Sequence, residues 1–406
     1  MMTPYLLMIV LYLSLAVLAA LESSFSSLQI TPWFNGMVWL RVHLITLGVL
    51  TQIFFYIMPK LAAIRYRLAN PNMRWDIWLT LNGGILTLLV GIPLVNIVPI
   101  FIGGTLVFIA TTLLILQLWS MKPSAQAAKG IGSSAGRNFY IAGLAYFLVG
   151  IIVGTGLFIG WIEPLGITGN AREVHVHANN WGLMSLVFAG LLIDMYPTWA
   201  KRPLANPNSI TAIFWLMTLG AFGLIFGPWF QNTYLLVPGL LMHLAATFWL
   251  LNNIIKPLRG DKPAWTVGVW HLITSYFWIL APVFMAPFVL FGVGNLPGPS
   301  IEAIAPQPLV YGWLLQFGYA IIPYFFARIF TPDEEAKLGG SWLSFITINL
   351  GAIFLWSSIF IVPIRGTLSG IGYLLWAISM LPIGATLWNT VQKGLTRFES
   401  QVSLQK

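Results

Sequence analysis

Apolar runs long enough to cross a bilayer follow one another from end to end of the chain, separated by short breaks rich in Pro, Gly, Asn and basic residues. A helix needs about 20 mostly apolar residues to span the hydrocarbon core. Such runs stand near residues 4–21, 33–58, 75–98, 100–120, 138–162, 172–197, 209–229, 234–255, 265–291, 308–329, 342–364 and 367–392. The pattern predicts an all-α polytopic membrane protein of twelve transmembrane helices, with no sizeable soluble domain between them. The first run has no basic flank before it and no small-residue cleavage site after it, so it reads as a retained span and not a signal peptide.

The polar breaks and the spans repeat. Leu68-Ala69-Asn70-Pro71-Asn72 follows span 2, and the identical Leu204-Ala205-Asn206-Pro207-Asn208 follows span 6, 136 positions later. His43 precedes Gly48 by five residues and His177 precedes Gly182 by five, the two histidines lying 134 apart. A further step of 136 reaches Trp313, followed at the same spacing by Gly318. This period predicts a single transmembrane domain, 1–406, made of approximate repeats 1–135, 136–270 and 271–406. Each repeat is a four-helix arc, the three arcs surround a pseudo-threefold axis, and spans 2, 6 and 10 line it. A transporter of two six-helix halves would repeat at about 200 residues instead.

Composition narrows the chemistry. The chain is 58% hydrophobic and 8% charged, with a mean hydropathy of +0.83. It has no cysteine, which excludes disulfides, thiolate metal ligation, iron–sulfur clusters and thioether-attached haem. A net charge of +9 suits a nucleic-acid binder, but the basic residues sit in short loops. One face collects Lys60, Arg65, Arg67, Arg74, Lys122, Lys129, Arg137, Lys201, Arg202, Lys256, Arg259, Lys262, Arg328, Lys337, Lys393, Arg397 and Lys406, and the other only Arg41, Arg172 and Arg365. That asymmetry predicts cytoplasmic termini, a bilayer as the surroundings and no nucleic-acid partner. The 19 tryptophans fit interfacial belts and flat cofactor walls equally well.

The candidate chemistry centres on Arg172-Glu173-Val174-His175-Val176-His177-Ala178-Asn179-Asn180-Trp181-Gly182, where span 6 opens. Residues two apart on an α-helix are separated by about 200°, so His175 and His177 face opposite sides and can serve two sites. Imidazole is the commonest metal ligand, and an ionisable group inside a membrane reads as functional by default. His43 lies about ten residues into span 2, roughly 15 Å deep. His43, His175 and His177 are therefore the leading metal ligands. His243, near the middle of span 8, and His271, near the start of span 9, are read equally well as ligands or as hydrogen-bonded core histidines. If His177 faces span 2 and shares a metal with His43, His175 faces away, toward a site that can include His243. Asp194 reads first as a solvated helix-end carboxylate and second as a proton entry point. The chain shows no phosphate loop, nucleophile triad or paired acid/base carboxylates, and no catalytic residue is assigned.

The run from His175-Val176-His177-Ala178 through Gly182, Gly190 and Tyr196-Pro197 resembles the His-x-His helix of haem–copper oxidase subunit I, nearest to the C-family oxidases and nitric oxide reductases. With Trp199 after it, the run is still more similar to the NnrS family of twelve-span haem- and copper-containing membrane proteins. The resemblance covers the whole chain and implies haem b, one or two per chain, with copper as a further candidate. It implies that Arg41 and Arg172 pair with haem carboxylates, as guanidinium groups do well, where otherwise they would snorkel to the surface. The pair stands on span 6, whereas the oxidases carry theirs on the tenth helix. Span 10 has Trp313 and Gln316 where a ligand belongs, and span 7 has no histidine. The ligand set is thus rotated by one repeat or partly lost, and neither a complete oxygen-reducing centre nor proton pumping is expected.

The expected function is that of a haem b membrane oxidoreductase acting on or protecting against nitric oxide or oxygen, with electrons from quinol or a cytochrome-bearing partner subunit. A non-catalytic haem sensor or electron carrier, and a haem-free transporter on the same scaffold, are the alternatives. The charge asymmetry has a direct test. Single cysteines placed in loops 61–74 and 198–208 should be labelled from the cytoplasmic side, and one in 292–307 from the other. Labelling of 292–307 only from the cytoplasm would refute this topology.

Overall fold

The computed structural model describes residues 4–33, 36–124, 135–292 and 296–404, and among them the chain is helical with no strand. Its long helices are α1 (Pro4–Ser27), α2 (Met37–Tyr66), α3 (Trp75–Gly91), α4 (Ile97–Ser120), α5 (Ala135–Ile159), α6 (Ala171–Trp199), α7 (Ile210–Trp229), α8 (Thr233–Ile255), α9 (Val267–Leu290), α10 (Gly298–Phe330), α11 (Trp342–Phe360) and α12 (Arg365–Leu404). Eleven of them are long and apolar enough to cross a membrane, and the chain is a multi-pass membrane protein. α3 is apolar but has 17 residues, about 25 Å of helix.

Several boundaries differ from the hydropathy pattern, among them the end of α2, which lies at Tyr66 and not near 58. α3 stops at Gly91 where the apolar run continues, because Asn96 starts a new helix by accepting a hydrogen bond from the Val98 amide. α10 begins at Gly298, ten residues early, so Glu302, Pro306 and Gln307 are helical where their polarity and prolines suggest a loop. α12 runs on to Leu404. Its charged end is held by Lys393 to Glu334 at 3.4 Å and by an Arg397–Asp333 ion pair.

The chain divides into two compact units, one of Met1–Ile9 with Thr51–Arg259, the other of Val10–Leu50 with Gly260–Lys406. Burial singles out three helices. The apolar windows of α2, α6 and α10 are 83%, 83% and 100% buried, against 28–50% for the other membrane-length helices. The same three each contain a π-helical stretch: Leu44–Leu50, Ala178–Met184 and Leu309–Leu315. π turns are rare and concentrate at functional sites.

Each π stretch carries a glycine packed under an aromatic ring of the preceding long helix. A Cβ on Gly48 would lie 2.9 Å from Tyr12, one on Gly182 2.4 Å from Tyr146, and one on Gly312 2.4 Å from Trp278. Glycines 84 and 103 make the α3–α4 crossing, glycines 220 and 239 the α7–α8 crossing, and glycines 351 and 372 the α11–α12 crossing. Small residues let membrane helices approach closely. Gly318 plays no such part, since a Cβ there meets Ile322 and Leu50 at an ordinary 3.4 Å. The structural counterpart of Gly48 and Gly182 is Gly312. Five residues before it stands Gln307, and not Trp313, which the constant step of 136 selects.

Gly182→Ala should therefore cost about 1–3 kcal/mol through overpacking against Tyr146, lowering Tm of the purified protein in detergent. Gly384→Ala, with nothing within 4 Å of its Cβ, should leave Tm unchanged or slightly raised. Equal Tm values for the two variants would contradict the packing described.

Candidate functional site

The site in the first unit is built on the opening turns of α6. Asn170 caps the helix, its side chain accepting from the amides of Arg172 and Glu173, so α-helical geometry is fixed before the histidines. His175 Nδ1 lies 2.8 Å from the Gly150 carbonyl of α5. Its ring occupies the space that a side chain at Gly154 would fill, and Asn179 Nδ2 donates to the His175 carbonyl at 2.7 Å. His177 Nδ1 lies 2.6 Å from the Leu224 carbonyl of α7. The two imidazoles thus address different helices, as their spacing requires.

His177 turns toward α7, and His243 joins its side and not that of His175. The Trp181 ring lies 6.4 Å from His177 and 5.3 Å from His243. His243 Nε2 donates to the Trp181 carbonyl at 3.2 Å, an acceptor inside the π stretch. The grouping that puts His243 with His175 is therefore replaced by one of His177, Trp181 and His243. His43 belongs to the second unit. It closes the α-helical start of α2, with Nδ1 2.9 Å from the Trp39 carbonyl and its ring stacked on Trp39 at 4.4 Å.

Ring-nitrogen chemistry separates the five histidines. A carbonyl oxygen can only accept, so Nδ1 of His43, His175 and His177 carries the proton and Nε2 the lone pair. That tautomer, with Nδ1–H held by a carbonyl, is the usual state of a metal-binding histidine. His243 has the opposite tautomer because its Nε2 is the donor. His271 Nε2 faces the Ser341 carbonyl at 3.4 Å and Ser344 Oγ at 3.1 Å, the surroundings of a core histidine. His177 Nε2 is also 3.9 Å from Glu173 Oε1, beyond hydrogen-bond range.

The charged candidates divide as well. Arg172 is exposed in the first turn of α6. Arg41 is buried, 8% exposed, with its guanidinium over the rings of Tyr373 and Trp33. Asp194 is not solvated. Its Oδ2 accepts from the Tyr140 hydroxyl at 2.8 Å, its Oδ1 is buried, and only a glycine at 136 leaves it room. Among the described residues no group of three His, Cys, Asp or Glu side chains is placed to hold a metal ion.

Trp39, Gly150, Gly154 and Leu224 are the contributors that sequence reasoning misses. Three of them act through a backbone carbonyl, which every residue has. Gly150 and Gly154 had a legible signal, lying with Gly156 and Gly160 in one glycine-rich stretch, a composition that by itself indicates only close helix packing. No family model, no curated protein and no solved structure matches the chain.

Proposed function

We propose that the chain is a haem b-binding integral membrane oxidoreductase of the haem–copper oxidase superfamily, acting on or protecting against nitric oxide or oxygen. One observation carries the reading. The three leading histidines are those that give Nδ1–H to a backbone carbonyl, and all three stand on deeply buried helices, beside a π stretch. In this reading the twelve helices form three four-helix arcs. The π stretches recur after 134 and 131 residues, and the glycine crossings keep a similar interval.

The donor set fits haem, which needs one or two axial ligands per iron, and does not fit a three-ligand copper centre, so no copper is proposed. His43, His175 and His177 would hold iron through Nε2, and Arg41 and Arg172 would supply positive charge toward the carboxylates of the macrocycle. Bound haem would supply diatomic-gas binding and one-electron chemistry. The carbonyls of Trp39, Gly150 and Leu224 fix ring orientation and ligand basicity, and the apolar helices admit a neutral gas while excluding water. Electrons would come from quinol or a cytochrome-bearing partner subunit. The setting is a bacterial or archaeal inner membrane, with both termini cytoplasmic.

A reduced-minus-oxidised visible spectrum of the purified protein, with iron and copper analysis, tests this reading. Haem b bands with iron and without stoichiometric copper are expected, together with a carbon monoxide shift. Absence of haem from protein made in haem-replete cells would instead leave a transporter on this scaffold. Haem that ignores carbon monoxide would make the protein an electron carrier.

A further inference from the structure

The first turns of α6 set two acceptors against each other. Glu173 and His177 stand four residues apart on one helix, so their side chains leave the same face. Glu173 Oε1 lies 3.9 Å from His177 Nε2. The Nδ1–H of His177 is committed to the Leu224 carbonyl at 2.6 Å, so Nε2 of the neutral ring carries a lone pair and no proton. A carboxylate also only accepts. Neither side donates across the gap, and among the described residues no other ion pair or side-chain hydrogen bond reaches the Glu173 carboxylate. The helix dipole favours a negative charge in the first turn. That accounts for an acid at 173 and not for its approach to an imidazole lone pair.

The complement of two facing acceptors is a cation. Zinc binds imidazole nitrogen and carboxylate oxygen at about 2 Å each, so one ion touches both across a gap of up to about 4 Å. The observed 3.9 Å lies within that reach. The two side chains are 18% and 33% exposed, which admits water to the remaining coordination positions. A mixed imidazole and carboxylate pair suits zinc, whereas magnesium and calcium take oxygen ligands. The Leu224 carbonyl supplies the backbone partner that orients a metal-binding ring.

We propose that Glu173 and His177 form a two-ligand site for a divalent metal ion of the zinc type. The inference goes beyond the haem reading and does not rest on it, since it concerns the chain without haem. Where haem takes His177 Nε2, zinc and iron compete for one nitrogen, and zinc occupies the position only in protein that lacks haem.

The test is isothermal titration of zinc chloride into the full-length protein in detergent, made in haem-starved cells and without a histidine tag. Magnesium chloride is the control. A saturable zinc site should appear, and no magnesium site. Glu173→Gln and His177→Gln should each weaken zinc binding about tenfold or more, while His175→Gln, whose ring is turned to α5, leaves it unchanged. Glu173→Gln is nearly isosteric and serves if His177→Gln fails to fold. Haem-replete protein separates the two readings. Zinc excluded by bound haem supports competition at His177, and zinc bound equally well beside haem leaves the metal site standing and removes His177 from the haem. Absence of zinc binding in haem-starved protein, or binding that Glu173→Gln leaves unchanged, overturns the proposal.

Discussion

A protein interior surrounded by lipid must satisfy its own polar groups, because bulk water reaches none of them. That constraint decides what each histidine in this chain can do. His43, His175 and His177 discharge it by giving Nδ1–H to the carbonyls of Trp39, Gly150 and Leu224. Once Nδ1 is committed, the lone pair of each ring lies on Nε2, the nitrogen a metal would take. His243 meets the same constraint with the other nitrogen and so becomes part of the wall. The two sets of histidines differ here in which nitrogen the backbone claims, and depth or local sequence does not distinguish them.

The carbonyls of Trp39, Gly150 and Leu224 belong to regular α-helix, and one acceptor depends on irregular helix. A π stretch widens the helix and displaces carbonyls from their usual partners, and the Trp181 carbonyl, bonded to His243, lies in one. Holding a π stretch inside a packed bundle requires room beside it. Glycine at 48, 182 and 312 provides that room for Tyr12, Tyr146 and Trp278. Glycine, ring and π stretch act as one device, found in α2, α6 and α10. In the first two, a histidine directly precedes the π stretch. In the third, Pro308 directly precedes the π stretch, and Gln307, five residues before Gly312, is buried with Oε1 unpartnered.

Much of this was legible in the sequence because it depends on side-chain type. Hydropathy located every long helix, and the Leu-Ala-Asn-Pro-Asn pair and the His-to-Gly spacing exposed a period near 135. The opposite facing of His175 and His177 followed from helical geometry alone. The errors arose where backbone irregularity or docking decides. A constant step of 136 passed Gly312 of the third π stretch and selected Trp313 and Gly318, because a local change in chain length leaves no mark in composition. The prolines at 306 and 308 made the first turns of α10 look like a loop, and the charges after Lys393 hid the end of α12. Asp194 sits near a helix end, yet Tyr140 and the gap at Gly136 bury it. The choice of carbonyl by each ring was beyond reach except at Leu224, whose carbonyl is left open by Pro228, four residues on and without an N–H.

The central claim is that His175 and His177 belong to different sites, one backed by α5 and the other by α7. The most direct test compares His175→Ala with His177→Ala by visible and electron paramagnetic resonance spectroscopy, with and without carbon monoxide. The account predicts two different spectra, with separable losses of low-spin signal and of gas binding. Identical spectra with identical gas-binding defects would mean one shared site and would contradict it.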